Sequence, residues 1–166
     1  MKAKIIDLFA GAGGLSEGFK RCGFDVIAHV EMDKDASCTL KTREAYYYCV
    51  NNNMLDLYIN YITKKISREE FYSHIPNSVL NTVINKEISD ETLEDIFKEI
   101  DYLLRNNEVT GIIGGPPCQA YSIAGRARMK EKTENDPRNY LYLYYLKFIE
   151  KYHPKFFVFE NVQGIL

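Results

Sequence analysis

The stretch Lys4-Ile5-Ile6-Asp7-Leu8-Phe9-Ala10-Gly11-Ala12-Gly13-Gly14 decides the fold, because an apolar run in it ends at a cluster of glycines. The run from Lys4 to Phe9 predicts a buried strand, and Leu15 to Cys22 has the apolar spacing of a helix. Glycines at this point allow a tight turn in which the backbone can approach a ligand closely. We therefore predict a strand, a turn and a helix over residues 4–22.

A second unit of the same kind follows directly. Phe24 to Val30 is another apolar run, and Asp33 to Tyr46 has the composition of a helix. Two successive strand-helix units predict an α/β fold with a mostly parallel, doubly wound sheet and helices on both faces.

Further elements of the same sheet are predicted later in the chain. Ser89 to Leu104 has a helical apolar stripe with Ser89 as its N-cap, and Val109 to Ile113 indicates a buried strand. Tyr140 to Tyr152 predicts another helix and Phe156 to Phe159 a last buried strand. The polar, Tyr-rich segment from about residue 51 to 85 breaks the pattern. We interpret it as an insertion at the sheet's edge, with a helix starting near Ser67.

Composition narrows the class of protein. The chain has 166 residues, a net charge of −2 and no apolar run of membrane-spanning length. No leader pattern follows Met1, so we expect a cytoplasmic protein. Cysteines and histidines lack metal-type spacing, so we predict no metal site. Positive charge is concentrated in the later part of the chain, where positions 120 to 155 contain eight basic and four acidic residues.

The glycine turn argues against a nicotinamide cofactor. Counted from Gly11, the sixth position of the dinucleotide fingerprint is Ser16 instead of glycine, so a nucleotide-like cofactor without a pyrophosphate fits better. Glu31 stands at the end of the second strand, where its carboxylate can accept hydrogen bonds from both ribose hydroxyls. Met32 beside it can cover an adenine face. A helix start for Glu31 and a core position for Met32 are the alternatives.

The sequence Gly114-Gly115-Pro116-Pro117-Cys118-Gln119 places a cysteine just after a predicted strand. Two prolines hold it rigidly at the carboxyl edge of the sheet, where open α/β sheets bind their ligands. A thiolate there is a candidate nucleophile. The alternative, a small buried hydrophobic residue, suits the other three cysteines but leaves the surrounding glycines and prolines unexplained.

Glu160-Asn161-Val162 ends the last predicted strand at that same edge. Because parallel strands gather their carboxyl ends together, Cys118 and Glu160 can face one pocket as nucleophile and proton donor. Alternatively, Glu160 forms an ion pair with a neighbouring loop.

Taken together, FAGAGG, GGPPCQ followed by Ser122, and ENV resemble the cofactor, nucleophile and acid motifs of the C5-cytosine DNA methyltransferase family, in order and spacing. The resemblance implies a Rossmann-like methyltransferase fold that uses S-adenosylmethionine. DPRNYL, from Asp136 to Leu141, is similar to a further family motif and implies that Leu141 lines the adenine pocket. The other cofactor-binding residues implied by the family motifs are Phe9, Ala10, Gly11, Gly13, Gly14, Leu15, Glu31, Met32 and Pro116.

The acidic residue that recognises the adenine amino group has two candidates, Asp56-Leu57 and Glu87-Ile88. We favour Glu87-Ile88 because it directly precedes the helix that leads into the Cys118 strand.

The family mechanism implies that Cys118 adds to C6 of cytosine while Glu160 supplies a proton or strong hydrogen bond at N3. The base must leave the double-stranded DNA helix to be reached, and the loop from Gln119 to Asn135 is the predicted lid. Gln119, Ser122, Arg126 and Arg128 are its candidate DNA contacts.

We interpret residues 1–166 as a partial catalytic and cofactor-binding domain, incomplete at its C-terminus. We identify no target-recognition domain in these residues, so we expect a truncated enzyme or one subunit that a complementing C-terminal polypeptide activates. The resemblance also suggests bacterial restriction-modification. A catalytically silent cofactor-binding module, an RNA cytosine methyltransferase and, least favoured, a nicotinamide-dependent oxidoreductase are the competing hypotheses.

Overall fold

A computed structural model describes residues 2–116 and 140–160, and the strands in these ranges form one sheet. Its strand order is β3-β2-β1-β4-β5, and each neighbouring pair is parallel. This confirms the predicted mostly parallel α/β sheet. The strands are β1 (Lys4–Leu8), β2 (Asp25–Val30), β3 (Val83–Ile84), β4 (Gly111–Gly114) and β5 (Phe156–Phe159).

Four predicted helix starts lie within one residue of the observed ones, whereas the second helix continues five residues beyond its predicted end at Tyr46. Asp33 caps the second helix by accepting a hydrogen bond from the Ala36 N–H, and Ser67 caps the fourth in the same way from Glu70. Within the described ranges, no helix is long and apolar enough to span a membrane. The helices are α1 (Gly14–Arg21), α2 (Lys34–Asn51), α3 (Leu55–Ile62), α4 (Arg68–Ser73), α5 (Asn77–Leu80), α6 (Leu93–Leu104) and α7 (Leu141–Tyr152).

Both faces of the central strands are buried, which explains their continuous apolar sequences. On one face Ile5, Val26 and Ile113 pack against α1. On the other, Ile6 and Ile112 belong to a larger core that includes the apolar stripe of α6 and the inner side of α7. The prediction of helices on both faces is thereby confirmed.

One predicted helix start is wrong. The helix expected from Ser89 begins at Leu93, with Thr92 as its N-cap residue. The Thr92 hydroxyl accepts a hydrogen bond from the Ser89 N–H at 3.1 Å, and the Thr92 N–H donates to the Ser89 carbonyl at 3.3 Å. These contacts close a separate turn before the helix, so Ser89 is not the cap.

The segment interpreted as an insertion over residues 51–85 overlaps a helix at its start and a strand at its end. Asn51 is the last residue of α2, and Val83–Ile84 forms strand β3 in the sheet. Between them, α3, α4 and α5 pack on α2 around a small core of their own, which contains the buried Phe71 and Ile75. Periodicity could not separate β3 from the polar segment, because a two-residue strand has no measurable alternation.

Candidate functional site

The glycine turn after β1 follows a left-handed path. Phe9, Gly11 and Gly13 have positive φ angles of 55°, 54° and 81°. At Gly13 a Cβ atom would lie 2.7 Å from Leu40 Cδ2, so glycine is required there for packing as well as for conformation. The turn brings the backbone of residues 10–14 to the carboxyl ends of β1 and β2.

Glu31, the first residue after β2, stabilises this turn through hydrogen bonds of its carboxylate. Its Oε2 accepts a hydrogen bond from the Gly11 N–H at 2.7 Å, and its Oε1 accepts one from the Asp33 N–H at 2.7 Å. Each carboxylate oxygen can accept a further hydrogen bond, so Glu31 can still take donors from a ligand. The structure therefore gives Glu31 a structural role beside the binding role predicted for it.

Asn85 brings the segment after β3 alongside Glu31. Its side-chain amide donates to the carbonyl oxygens of Glu31 and Met32, at 2.9 and 3.0 Å. The Thr92 hydroxyl donates to the carbonyl of Glu87 from the other side. These bonds hold Glu87 and Ile88 next to the end of β2.

A cavity of about 680 Å³ opens between these segments at the carboxyl edge of the sheet. The exposed Met32 stands at it, and its polar lining includes the carboxylates of Glu31 and Glu87. Asp56, the alternative to Glu87, lies on α3 and does not line it. We call this the nucleotide cavity, and the predicted cofactor residues that line it are Phe9, Gly11, Glu31, Met32, Glu87, Ile88 and Leu141.

A second pocket, of about 390 Å³, lies beside it and contains Glu160. We call it the Glu160 pocket. Three further predicted cofactor residues, Ala10, Gly14 and Leu15, line this pocket and not the nucleotide cavity. Glu160 is exposed there, and its N–H donates to the Gly114 carbonyl at 2.9 Å, which fixes the backbone at the end of β5.

The remaining predicted site residues are not brought to either space. Gly13 packs against α2, and Pro116 is buried without lining the nucleotide cavity or the Glu160 pocket. Cys118, Gln119, Ser122, Arg126 and Arg128 lie outside the described residues, as does the predicted lid.

Several lining residues were not predicted. Tyr140 and Tyr144 line the nucleotide cavity beside Leu141, and Lys86 and Gly115 also contribute. The spacing of Tyr140, Leu141 and Tyr144 places them on one face of α7, which was the available signal. No sequence signal indicated Asn85, because its role depends on hydrogen bonds to residues that lie 53 and 54 positions earlier in the chain.

A buried cluster of ionisable side chains links the strands that carry the site to the neighbouring helices. His29 on β2 bonds Glu44 on α2 through its Nε2 at 3.0 Å, and its Nδ1 lies 3.4 Å from a carboxylate oxygen of Asp7 on β1. Lys20 pairs with Glu44 as well. Burial favours the neutral imidazole, but the two carboxylates outweigh it and raise the pKa of His29. The cluster ties the strand before the glycine turn to α2.

Metal-type clusters are absent from the part of the chain that the structure describes. There, no group of three or more His, Cys, Asp or Glu residues is arranged to hold a metal ion.

Comparison with known proteins identifies the family. The model for the C-5 cytosine-specific DNA methylase family matches residues 3–71 and 70–166. Type II methyltransferase M.Bpa9945I of Bacillus paralicheniformis is 41% identical, over 98% of this chain and 41% of its own length. Type II methyltransferase M.DdeI of Desulfomicrobium norvegicum is 37% identical, over 98% of this chain and 28% of its own length.

A solved structure agrees with these matches. A prophage-encoded DNA modification methyltransferase from E. coli superposes with a TM-score of 0.55 and 27% identity, covering 99% of this chain and 33% of that one. The chain thus spans less than half the length of these relatives. Because the family model extends over almost all 166 residues, the chain belongs to the C-5 cytosine-specific DNA methylase family.

Proposed function

We propose that this chain is the cofactor-binding and catalytic part of an enzyme that methylates C5 of cytosine in DNA, with S-adenosylmethionine as the methyl donor. The observation that carries the proposal is the pair of spaces at the carboxyl edge of the sheet. One is lined by Glu31 and Glu87 and the other contains Glu160. Such an edge is where open parallel sheets bind ligands.

The nucleotide cavity fits the adenosine part of that donor. Glu31 retains acceptor capacity for ribose hydroxyls, while Met32, Ile88 and Leu141 offer apolar surface for an adenine ring. Glu87 supplies an acceptor for the adenine amino group. When bound, S-adenosylmethionine supplies an electrophilic methyl group on a sulfonium.

The chain's own residues must make cytosine reactive, because C5 is a weak nucleophile. In the proposed mechanism the Cys118 thiolate adds to C6, and Glu160 gives a proton or strong hydrogen bond to N3. Electron density then moves toward C5. After transfer, loss of the C5 proton and departure of Cys118 restore the aromatic ring and the free thiolate.

The proposed substrate is double-stranded DNA, and the target base must leave the helix to meet Glu160. Gln119, Ser122, Arg126 and Arg128 are proposed to contact the nucleotide and its neighbouring phosphates. The type II methyltransferases among the relatives favour a role in restriction-modification.

We further propose that activity requires a complementing polypeptide corresponding to the part of the relatives that this chain does not match. β5 is an edge strand within the described sheet, with Phe157 and Val158 exposed. An additional strand could pair there and cover both side chains.

Titration calorimetry with S-adenosylhomocysteine tests the cofactor site directly. Glu87→Ala should weaken binding about tenfold, since a hydrogen bond to a charged group is lost, whereas the matched change Asp56→Ala should have no effect. The opposite result would show that Asp56 recognises adenine. Failure of the unaltered chain to bind would contradict the proposed cofactor site.

Transfer of a labelled methyl group to DNA tests the chemistry, with the chain co-produced with the C-terminal part of a relative. Cys118→Ser should abolish incorporation while leaving S-adenosylhomocysteine affinity unchanged, and Glu160→Gln should slow it. Full incorporation by Cys118→Ala would exclude the covalent mechanism. Incorporation into RNA in place of DNA would reassign the substrate.

A further inference from the structure

The nucleotide cavity and the Glu160 pocket have two lining residues in common. Phe9 and Gly115 belong to both, whereas the other described lining residues belong to one or the other. Phe9 follows β1 and Gly115 follows β4, and these strands are neighbours in the sheet. The boundary between the two spaces is therefore formed at the ends of two adjacent strands.

Gly115 has no side chain, and the space that one would fill is taken by Glu160. A Cβ atom on Gly115 would lie 2.5 Å from Glu160 Oε2 and 3.0 Å from its main-chain oxygen. The 2.5 Å contact requires a shift that the Glu160 carboxylate, at the exposed end of a flexible side chain, is able to make, whereas the tight contact with the main-chain oxygen requires a small adjustment of the backbone.

Backbone conformation does not explain this glycine. Gly115 is not among the residues with a positive φ angle, so an alanine could adopt its backbone geometry. Gly114 provides the contrast, with a φ of 153° and a position where a Cβ would lie 2.1 Å from the Leu8 carbonyl oxygen. Gly114 serves strand packing, whereas Gly115 leaves room for the Glu160 carboxylate.

Phe9, the other residue shared by the two spaces, has a backbone conformation that costs energy. Its φ of 55° is left-handed, a region that non-glycine residues with bulky side chains seldom adopt. Such strain persists only where the surrounding structure holds it, and here the Gly11–Glu31 hydrogen bond fixes the turn that follows.

We propose that Phe9 and Gly115 are positioning residues at an opening between the nucleotide cavity, which would hold the methyl donor, and the Glu160 pocket, which would hold the acceptor base. The absence of a side chain at Gly115 leaves room for the Glu160 carboxylate to point to that opening. The inference rests on the proposed function, because it assumes that a methyl donor occupies the nucleotide cavity. Beyond that function, it explains what separates the two spaces and why residue 115 must be glycine.

Two ligands of the same cavity test this by calorimetry. S-adenosylhomocysteine carries no group at the methyl position, whereas sinefungin carries an ammonium there. If the opening faces Glu160, sinefungin should bind the unaltered chain about tenfold more tightly, as expected for one charge-assisted hydrogen bond. Gly115→Ala should remove the sinefungin preference, measured as the ratio of the two affinities in the same variant.

Three further variants separate this role from a general effect on folding. Glu160→Gln keeps the glycine but removes the charge, so it should also abolish the preference, whereas Glu108→Gln, exposed just before β4, should not. Adding Glu160→Asp to Gly115→Ala shortens the colliding side chain and should restore part of the preference. A structural defect alone would not be rescued in this way.

The outcomes distinguish this inference from the function on which it rests. If S-adenosylhomocysteine binds but sinefungin has no preference, or keeps its preference in Gly115→Ala, the assignment of the opening is wrong and the cofactor site stands. If neither ligand binds the unaltered chain, the proposed cofactor site is wrong, and this inference is overturned with it.

Discussion

The two edges of the sheet differ in how they are covered. β3 has two residues, Val83 and Ile84, and both are buried beside α2. β5 has four, and the side chain of Phe157 in its middle is 58% exposed. Phe156 and Glu160 donate their N–H groups toward β4, so strand alternation points the N–H of Phe157 away from the sheet.

The difference indicates which part of the chain can sustain its own fold. On the β3 side, α2 packs against β3, and the helical segment α3–α5 packs on α2 around its own small core. On the β5 side α7 covers the sheet through Tyr145 and Phe148, yet leaves Leu143 and Leu146 exposed. We therefore expect substitutions on the β3 side to affect folding, and those at the β5 edge to affect association.

Truncation of one aromatic residue on each side tests this contrast most strongly. Phe71→Ala removes a fully buried ring from the α3–α5 core and should lower the free energy of unfolding by about 3–5 kcal/mol. Phe157→Ala removes an exposed ring and should cost below about 1 kcal/mol. Urea unfolding followed by circular dichroism measures both.

Equal costs for the two variants would contradict the contrast. A small cost for Phe71→Ala would mean that α3–α5 contributes little to the cooperative unit.

A smaller effect is expected on the β5 side, where α7 is attached to the last two strands of the sheet. The hydroxyl of Tyr145 donates to the carbonyls of Ile112 on β4 and Val158 on β5, at 2.9 and 3.0 Å. Tyr145→Phe leaves these buried acceptors without that donor and should cost about 1–2 kcal/mol in the same unfolding experiment. Tyr102→Phe is the control, because Tyr102 is 78% exposed and its loss of a hydroxyl should cost nothing measurable.

If Tyr145→Phe were as stable as the unaltered chain, α7 would attach β5 through apolar packing alone. The hydroxyl bridge would then have no part in holding the exposed edge strand.

Much of this fold could be predicted from the sequence, because its signals are local. The apolar runs of β1 and β2 and the glycine turn between β1 and α1 required no knowledge of distant contacts. The start of α6 was predicted wrongly, because Ser89 and Thr92 are both plausible caps and only their mutual hydrogen bonds decide between them. Strand β3 was too short to detect by periodicity.

The candidate site shows the same limit. Glu31 was predicted from its place at the end of a strand and Glu87 from its place before a helix, whereas Asn85, which joins their two segments, was assigned to the insertion. The role of Gly115 could not be predicted either, since its reason lies in Glu160, 45 residues later. Sequence patterns therefore predicted side chains that line the cavity more readily than the contacts that position them.

The buried cluster on the β1–β2 side should make stability depend on pH. Because the pKa of His29 is raised above its ordinary 6.5 by Asp7 and Glu44 despite burial, the charged imidazole stabilises the fold at low pH. This contribution is complete below about pH 6.5 and is lost as the pH rises through the raised pKa. Urea unfolding at a series of pH values should show the decline.

Two variants test whether His29 causes this fall in stability with rising pH. His29→Gln should flatten it, whereas His74→Gln, at an exposed position, should leave it unchanged. At the acid end, burial opposes ionisation of Glu44, but His29 and Lys20 together lower its pKa, so its contribution is present above 4.5 and lost as the pH falls through the lowered value. Stability that rose from pH 6.5 upward would show that His29 is neutral in the fold.

The smallest effect on stability, and the sharpest test of the edge, is expected from a charge on β5. Phe157→Lys places a lysine on an exposed edge strand, where natural sheets use charges to prevent pairing with other chains. We expect the exposed β5 edge to make the chain self-associate, so Phe157→Lys should reduce the self-association measured by sedimentation while the free energy of unfolding changes by less than about 0.5 kcal/mol. Ile62→Lys is the matched control, because Ile62 is similarly exposed but lies on α3, away from β5. If Ile62→Lys reduced self-association and Phe157→Lys did not, the interacting surface would be the α3–α5 segment, and the β5 edge would be covered by other means.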